Sequence, residues 1–196
     1  MENRAMNILY LHGFRSSPQS AKARQMAAHF AQTAHRFVCP QLPASPALAM
    51  ELACELIEDR GDCAKDWALI GSSLGGFYAT FLAELYGCRA ALLNPAVHPE
   101  MDLGAHIGEG FAYDGDTPFD FKLEYLDQLA ALNVAAITKP QRYFLLAATG
   151  DEVLDWRQMR DHYAGAQQRI IEGSDHALTE FAEHVDEVAS FCTNGL

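Results

Sequence analysis

"LIGSSLGGFYAT", residues 69–80, sets two adjacent serines among glycines, and its reading decides the fold. Gly71-Ser72-Ser73-Leu74-Gly75 fits G-x-S-x-G with Ser73 at the centre. Centred on Ser72, the same frame would need glycine at Ile70 and Leu74, so it fails. The apolar run "WALI" leads in, and the helix-periodic "FYATFLAELYG" leads out. A strand, a serine and a helix in that order form the elbow this motif requires. The turn strains the serine backbone and lifts its hydroxyl above the strand end. The flanking glycines are needed because a β-carbon there would strike the neighbouring strand or helix. The helix starting at Leu74 aims its unpaired N–H groups at the same space. Ser72 precedes the elbow on the strand, so its side chain points to the opposite face, for packing and a local hydrogen bond.

Working outward, short apolar runs recur along the chain: "NILYL" (7–11), "RFVCP" (36–40), "WALIG" (67–71), "RAALLN" (89–94), "RYFLLAA" (142–148) and "QRIIE" (168–172). Near-continuous apolarity over so few residues predicts strands buried on both faces of a parallel sheet. Helical patterns lie between them. Ser17-Pro18 reads as an N-cap and first helical position before "QSAKARQMAAHFAQ". "PALAMELACELIEDRG" sets Leu48, Leu52 and Leu56 at helical spacing and stops at Gly61. "DWRQMRDHYAG" predicts another helix, and Leu178, Phe181, Val185, Val188 and Cys192 form one apolar stripe near the end. Strands alternating with helices predict an α/β fold, a doubly wound sheet with helices on both faces and right-handed crossovers.

One stretch breaks the alternation. Residues 96–118, "AVHPEMDLGAHIGEGFAYDGDTP", carry several glycines and no clear period, and a helix is expected near 119–136. Long irregular loops inside a compact domain are usually functional. We read about 96–138 as a small lid-like insertion in a single domain spanning 1–196. Val97, Met101, Leu103, Ile107 and Phe111 are expected to line a short apolar substrate pocket beneath it.

A serine hydroxyl is a poor nucleophile near neutral pH and needs a base, which in turn needs an orienting group. This fold presents them in the chain order Ser, Asp/Glu, His. Asp151 follows the strand "RYFLLAATG", and His176 follows "QRIIEG", both on the sheet edge that carries Ser73. Glu152 and Asp155 compete for the acid role. Asp175 adjoins His176 in sequence and is badly placed to reach its Nδ1. Among the other histidines, His29, His162 and His184 fall in helical patterns and His35 lies at the wrong edge. His98 and His106 sit in the lid, and His12 precedes the serine. The oxyanion donors are expected to be the N–H groups of Leu74 and Phe14, the latter in "LHGFRSS" after the first strand.

Composition bounds the rest. The chain has 196 residues, 49% hydrophobic, enough for one sizeable core. A formal net charge of −12 disfavours nucleic acid and anionic membranes as partners. Five cysteines without a C-x-x-C pair speak against a disulfide framework and for a reducing cytosol. Cys39, Cys88 and Cys192 read as small core fillers. The apolar run near the start, Ile8 to Leu11, is too short for a signal peptide or a membrane span. No metal-ligating spacing, dinucleotide fingerprint or phosphate loop occurs, so no cofactor and no metal is expected.

The chain resembles the α/β-hydrolase superfamily, and within it the small YqiA-like esterase family (UPF0227). The resemblance rests on "YLHGFRSSPQSAKA", "IGSSLGGFYAT", "LLNPAVHP", "TGDEVLDWRQ" and "EGSDHALTEF". It implies a triad of Ser73, Asp151 and His176. It also implies an all-parallel sheet of about six strands in the order 2-1-3-4-5-6, without the leading antiparallel hairpin of larger members. The implied function is a cytoplasmic serine esterase acting on small-molecule carboxylic esters or thioesters through an acyl-enzyme. The same triad would serve an acyl-CoA thioesterase. A non-catalytic binding protein on this scaffold is the reading from another class, and such proteins usually lack a triad member.

Overall fold

The computed structural model describes residues 4–112, 115 and 117–194. Six strands build the main sheet: β1 (Asn7–Leu11), β2 (Arg36–Val38), β3 (Trp67–Ser72), β4 (Arg89–Leu93), β7 (Tyr143–Ala148) and β8 (Gln167–Ile171). A separate pair, β5 (Gly108–Phe111) and β6 (Pro118–Phe121), forms an antiparallel hairpin. The helices are α1 (Ala21–Phe30), α2 (Pro46–Glu58), α3 (Cys63–Asp66), α4 (Leu74–Tyr86), α5 (Pro99–Asp102), α6 (Glu124–Ala131), α7 (Trp156–His162) and α8 (Val185–Thr193).

The main sheet runs β2-β1-β3-β4-β7-β8, every pairing parallel. Its six strands follow one another as expected. Their chain numbers jump from 4 to 7 because the hairpin strands, absent from the sequence reading, intervene. Strand β3 is buried throughout, and its alternate residues feed two cores. Trp67 and Leu69 join Met50, Ala53, Phe77, Tyr78, Leu129 and Met159, from α2, α4, α6 and α7. Ala68 and Ile70 join Met26, Phe30, Val188 and Cys192, from α1 and α8. Each fully buried large aliphatic side chain contributes roughly 1.5–3 kcal/mol, which is why both faces must be covered.

Local differences from the sequence reading have physical reasons. Helix α1 begins at Ala21 behind Ser20, so Ser17-Pro18 lies in the preceding turn. In α2 the buried stripe is Ala49, Met50, Ala53 and Ile57, and Leu48 is exposed. The expected leucine stripe lies at the margin of the core, with Leu52 and Leu56 half-buried and Leu56 packed against it. The expected helix at 119–136 shrinks to α6, since Phe119 and Phe121 belong to β6. The final apolar stripe is split by a 3-10 turn at Phe181–Glu183, although Leu178, Phe181, Val188 and Cys192 are all buried. Cys88 and Cys192 are buried and Cys39 half-buried. Residues 113, 114 and 116 of the 96–118 stretch lie outside the described residues.

The order β2-β1-β3 means the chain leaves β1 in one direction along the sheet and later returns on its other side. At this reversal the carboxyl ends of β1 and β3 open side by side, and a crevice forms where no crossover covers the edge. The segments 12–14, after β1, and 73–74, after β3, meet there. The loops after β4, β7 and β8 complete the rim.

Candidate active site

Ser73 sits at the elbow between β3 and α4 with φ 54° and ψ −121°. Such a backbone costs a non-glycine residue on the order of 1–3 kcal/mol and persists only where surroundings dictate it. Here the Ser73 N–H donates to the Leu93 carbonyl at 3.0 Å. Its own carbonyl accepts from Gly76 at 2.8 Å and Ala96 at 3.0 Å. Two glycines permit the close approach. A β-carbon at Gly75 would land on the Leu11 carbonyl oxygen, and one at Gly71 on the Gly75 carbonyl. Ser72 is buried on the opposite side, beside the Tyr10 phenol.

Three side chains form one hydrogen-bonded chain. His176 Nε2 lies 3.1 Å from Ser73 Oγ, and its Nδ1 lies 2.8 Å from Asp151 Oδ2. The Asp151 carboxylate is fully buried, while the imidazole keeps a solvent-facing edge. Asp151 Oδ1 accepts the N–H groups of Val153 and Leu154, both at 2.8 Å. Two backbone donors thus replace the water that this buried oxygen has lost. Of the rival acids, Glu152 accepts the His176 N–H at 3.0 Å, Asp155 caps α7, and Asp175 turns to Thr179. None of the three reaches the imidazole ring.

The loop after β1 comes within a few ångström of the serine. A β-carbon added at Gly13 would lie 3.6 Å from Ser73 Oγ. Phe14 and Leu74 both border the cavity in front of that hydroxyl. As the first residue of α4, Leu74 has no intrahelical acceptor for its N–H. The Phe14 ring is held edge-on by Phe119 at 5.0 Å and Phe121 at 5.1 Å, so the hairpin fixes this loop.

His12 anchors the same loop from below. Its buried ring accepts the Leu42 N–H at Nε2 (3.0 Å), so Nδ1 carries the proton and donates to the Gly13 carbonyl at 3.0 Å. Burial lowers its pKa, against a smaller upward pull from the Gly13 carbonyl, and the ring is neutral. The sequence places His12 in the turn before Phe14 but does not disclose these two hydrogen bonds.

The cavity measures about 460 Å³. Its wall combines Phe14, Leu74, Pro99, Leu103, Val153 and Leu154 with Lys22, Asp102 and His106 around Ser73 and His176. Four of the residues expected there are elsewhere. Val97 and Met101 line a separate groove with Gln158 and His162, while Ile107 and Phe111 are exposed and absent from the wall. Only Leu103 of that set faces the site. The reason is a turn of helix: Pro99, Asp102, Leu103 and His106 follow i, i+3, i+4, i+7 and present one mixed face. Choosing by apolarity alone selected Met101 on another side of this segment, and Val97, Ile107 and Phe111 outside it.

Asn94 is a second residue whose role the sequence did not disclose. It follows β4 directly, fully buried, at φ 43°. Its Nδ2 donates to the carbonyls of Asp175 (3.0 Å) and His176 (3.2 Å), and its Oδ1 accepts the Ala148 N–H at 2.8 Å. One amide thus ties the histidine loop to β7. Asn94→Gly keeps the left-handed backbone and removes the amide with its β-carbon. It should lower stability by about 2–4 kcal/mol, because buried partners are left unpaired. That corresponds to a Tm fall of roughly 5–15 °C for a chain of this size. Calorimetry showing no fall would sink this assignment.

A model of an uncharacterised protein family, UPF0227, matches residues 7–193. The chain belongs to UPF0227. Among solved structures, this UPF0227 chain is similar to Est1E from Butyrivibrio proteoclasticus, determined with ferulic acid bound. The TM-score is 0.74 at 16% identity, over 96% of this chain and 88% of that one. It is also similar to the mouse alpha/beta hydrolase domain-containing protein 10, with TM-score 0.72 at 14% identity over 97% and 92%. A third likeness is to the carboxylesterase CesB from Bacillus subtilis, with TM-score 0.63 at 16% identity over 98% and 85%. The UPF0227 chain therefore has the α/β-hydrolase fold. No helix among the described residues is long and apolar enough to cross a membrane.

Proposed function

We propose that this UPF0227 protein is a serine hydrolase of carboxylic acyl esters. One observation carries the reading: the unbroken Ser73–His176–Asp151 hydrogen-bond chain opening on a cavity bordered by Phe14 and Leu74. His176 Nε2 takes the Ser73 proton as Oγ attacks the ester carbonyl. The carbonyl electrons move to oxygen, and the N–H groups of Phe14 and Leu74 receive the resulting oxyanion. The tetrahedral adduct collapses, the bond to the alcohol breaks, and His176 returns the proton to the leaving oxygen. Water, deprotonated by His176, then releases the acid and restores Ser73. Asp151 holds the Nδ1 proton, so Nε2 is free to accept at the start of each half-reaction, and its charge steadies the imidazolium that forms between. A thioester would be opened by the same steps, with a thiol departing.

Residues 1–196 then act as one α/β-hydrolase domain, and 96–138 is a lid-like insertion whose hairpin clamps Phe14. The esterase names of the structural neighbours support the reaction class. The free cysteines support a reducing, cytoplasmic setting.

The test is covalent. A fluorophosphonate should label the folded protein on Ser73, and a para-nitrophenyl butyrate assay should show turnover that the label abolishes. A folded protein that neither labels nor turns over ester would overturn the reading and favour a binding protein.

A further inference from the structure

Lys22 has no place in those steps, yet it stands in the cavity wall with Ser73 and His176. It is the second residue of α1, and its Nζ donates to the Ala177 carbonyl at 2.7 Å. Among the described residues this backbone oxygen is its one hydrogen-bond acceptor, and it has no ion-pair partner. The surrounding charges are few. Asp151 and Asp175 act on it from the loops after β7 and β8, His176 adjoins Ala177, and Asp102 and His106 lie in the cavity wall. Burial holds its pKa down at about 8, against the two carboxylates that pull it up. An ammonium kept partly from water with two donors to spare is costly unless something anionic completes it.

Its place along the reaction path gives the direction. His176 must hand its proton to the departing oxygen, so the leaving group lies against the histidine loop, where Ala177 and Lys22 are. The acyl part is left with the apolar wall of Phe14, Pro99, Leu103 and Leu154. We propose that the Lys22 ammonium binds an anionic group, carboxylate or phosphate, carried on the alcohol or thiol side of the substrate. The inference rests on the esterase reading and narrows its substrate class to neutral acyl chains on anionic leaving groups.

Matched esters test it. The anionic members are para-(butyryloxy)benzoate, paired with its neutral methyl ester, and para-(butyryloxy)phenyl phosphate, paired with its neutral dimethyl triester. A monoaryl succinate, anionic on the acyl side, is compared with the aryl butyrate. Rates are corrected for leaving ability by hydroxide hydrolysis. The readout is the ratio of kcat/KM within each pair, so any loss common to both members cancels. The native protein should favour the anionic leaving groups at least tenfold at pH 7. Both anions favoured means a general receptor, and phosphate alone favoured identifies a phosphorylated substrate.

As pH rises through about 8, Lys22 loses its proton and the ratio should fall toward one. Lys22→Met should abolish the ratio, and Lys22→Arg, which keeps the charge, should retain it. If Lys22 only braces the Ala177 carbonyl, Lys22→Met slows both members equally and the ratio stands, which overturns the proposal. A native ratio near one, or a preference for the succinate, overturns it as well. Should Lys22→Met fail to fold, the native ratio and its pH dependence decide alone. No turnover of any of these esters, neutral or anionic, would instead strike the esterase reading itself.

Discussion

Ser73→Ala is expected to cut ester turnover by about 10⁵–10⁶-fold, with a folded protein remaining. Removing the nucleophile of a triad costs as much as removing the whole triad, because the parts work as one unit. A residual acceleration over water, on the order of 10³–10⁴-fold, should survive from the oxyanion donors and binding. Stability should change little. The Ser73 hydroxyl has one hydrogen-bond partner among the described residues, the His176 ring, and the methyl group keeps the elbow's β-carbon. Fluorophosphonate labelling should vanish with it. Ser72→Ala is the control: its side chain faces the other core, so labelling on Ser73 should persist. Label on Ser72, or turnover in Ser73→Ala within tenfold of native, would overturn the assignment.

Legibility tracked how local each determinant is. The elbow is local: a short run of residues forces a strand end, a strained serine and a helix start, because glycines at 71 and 75 are the only residues that fit against backbone carbonyls. The sheet was legible because strands buried on both faces must be almost wholly apolar, as β3 and β7 are. The order of chain elements then placed Asp151 and His176 on the edge shared with Ser73. Beyond that, the site depends on contacts between distant segments. Asn94 reaches across to the carbonyls of Asp175 and His176, and nothing in "LLNPAV" announces those partners.

The insertion was read least well, and for two reasons. Strands β5 and β6 have four residues each, and glycines at 108 and 110 erase the alternation that marks a strand. The segment before them is helical for little more than one turn at a time, too short for a period to emerge from the sequence. Its cavity-facing stripe also mixes Pro99, Asp102, Leu103 and His106, so apolarity could not find it. The outcome matters for function, since a mixed wall suits a substrate with a polar end better than the wholly apolar pocket first expected.

Asp151→Asn is the sharper test of how the triad is arranged, and it should cost about 10⁴-fold in kcat although it changes a single atom. The surroundings dictate how the new amide must sit. At Oδ1, the N–H groups of Val153 and Leu154 both point at an acceptor, so the asparagine oxygen has to stay there. The amide NH₂ then faces His176 Nδ1 in place of Oδ2. Donating to Nδ1, it forces the ring proton onto Nε2, and an Nε2–H cannot accept the Ser73 proton. Asp151→Ala leaves two backbone donors unpaired and should cost more stability, yet it imposes no tautomer. Asparagine should therefore be no better a catalyst than alanine while being the better-folded protein. Paired kinetics and melting curves on the two variants decide it. Turnover by Asp151→Asn within tenfold of native would mean that Asp151 does not set the tautomer, and that the acid acting on His176 lies elsewhere.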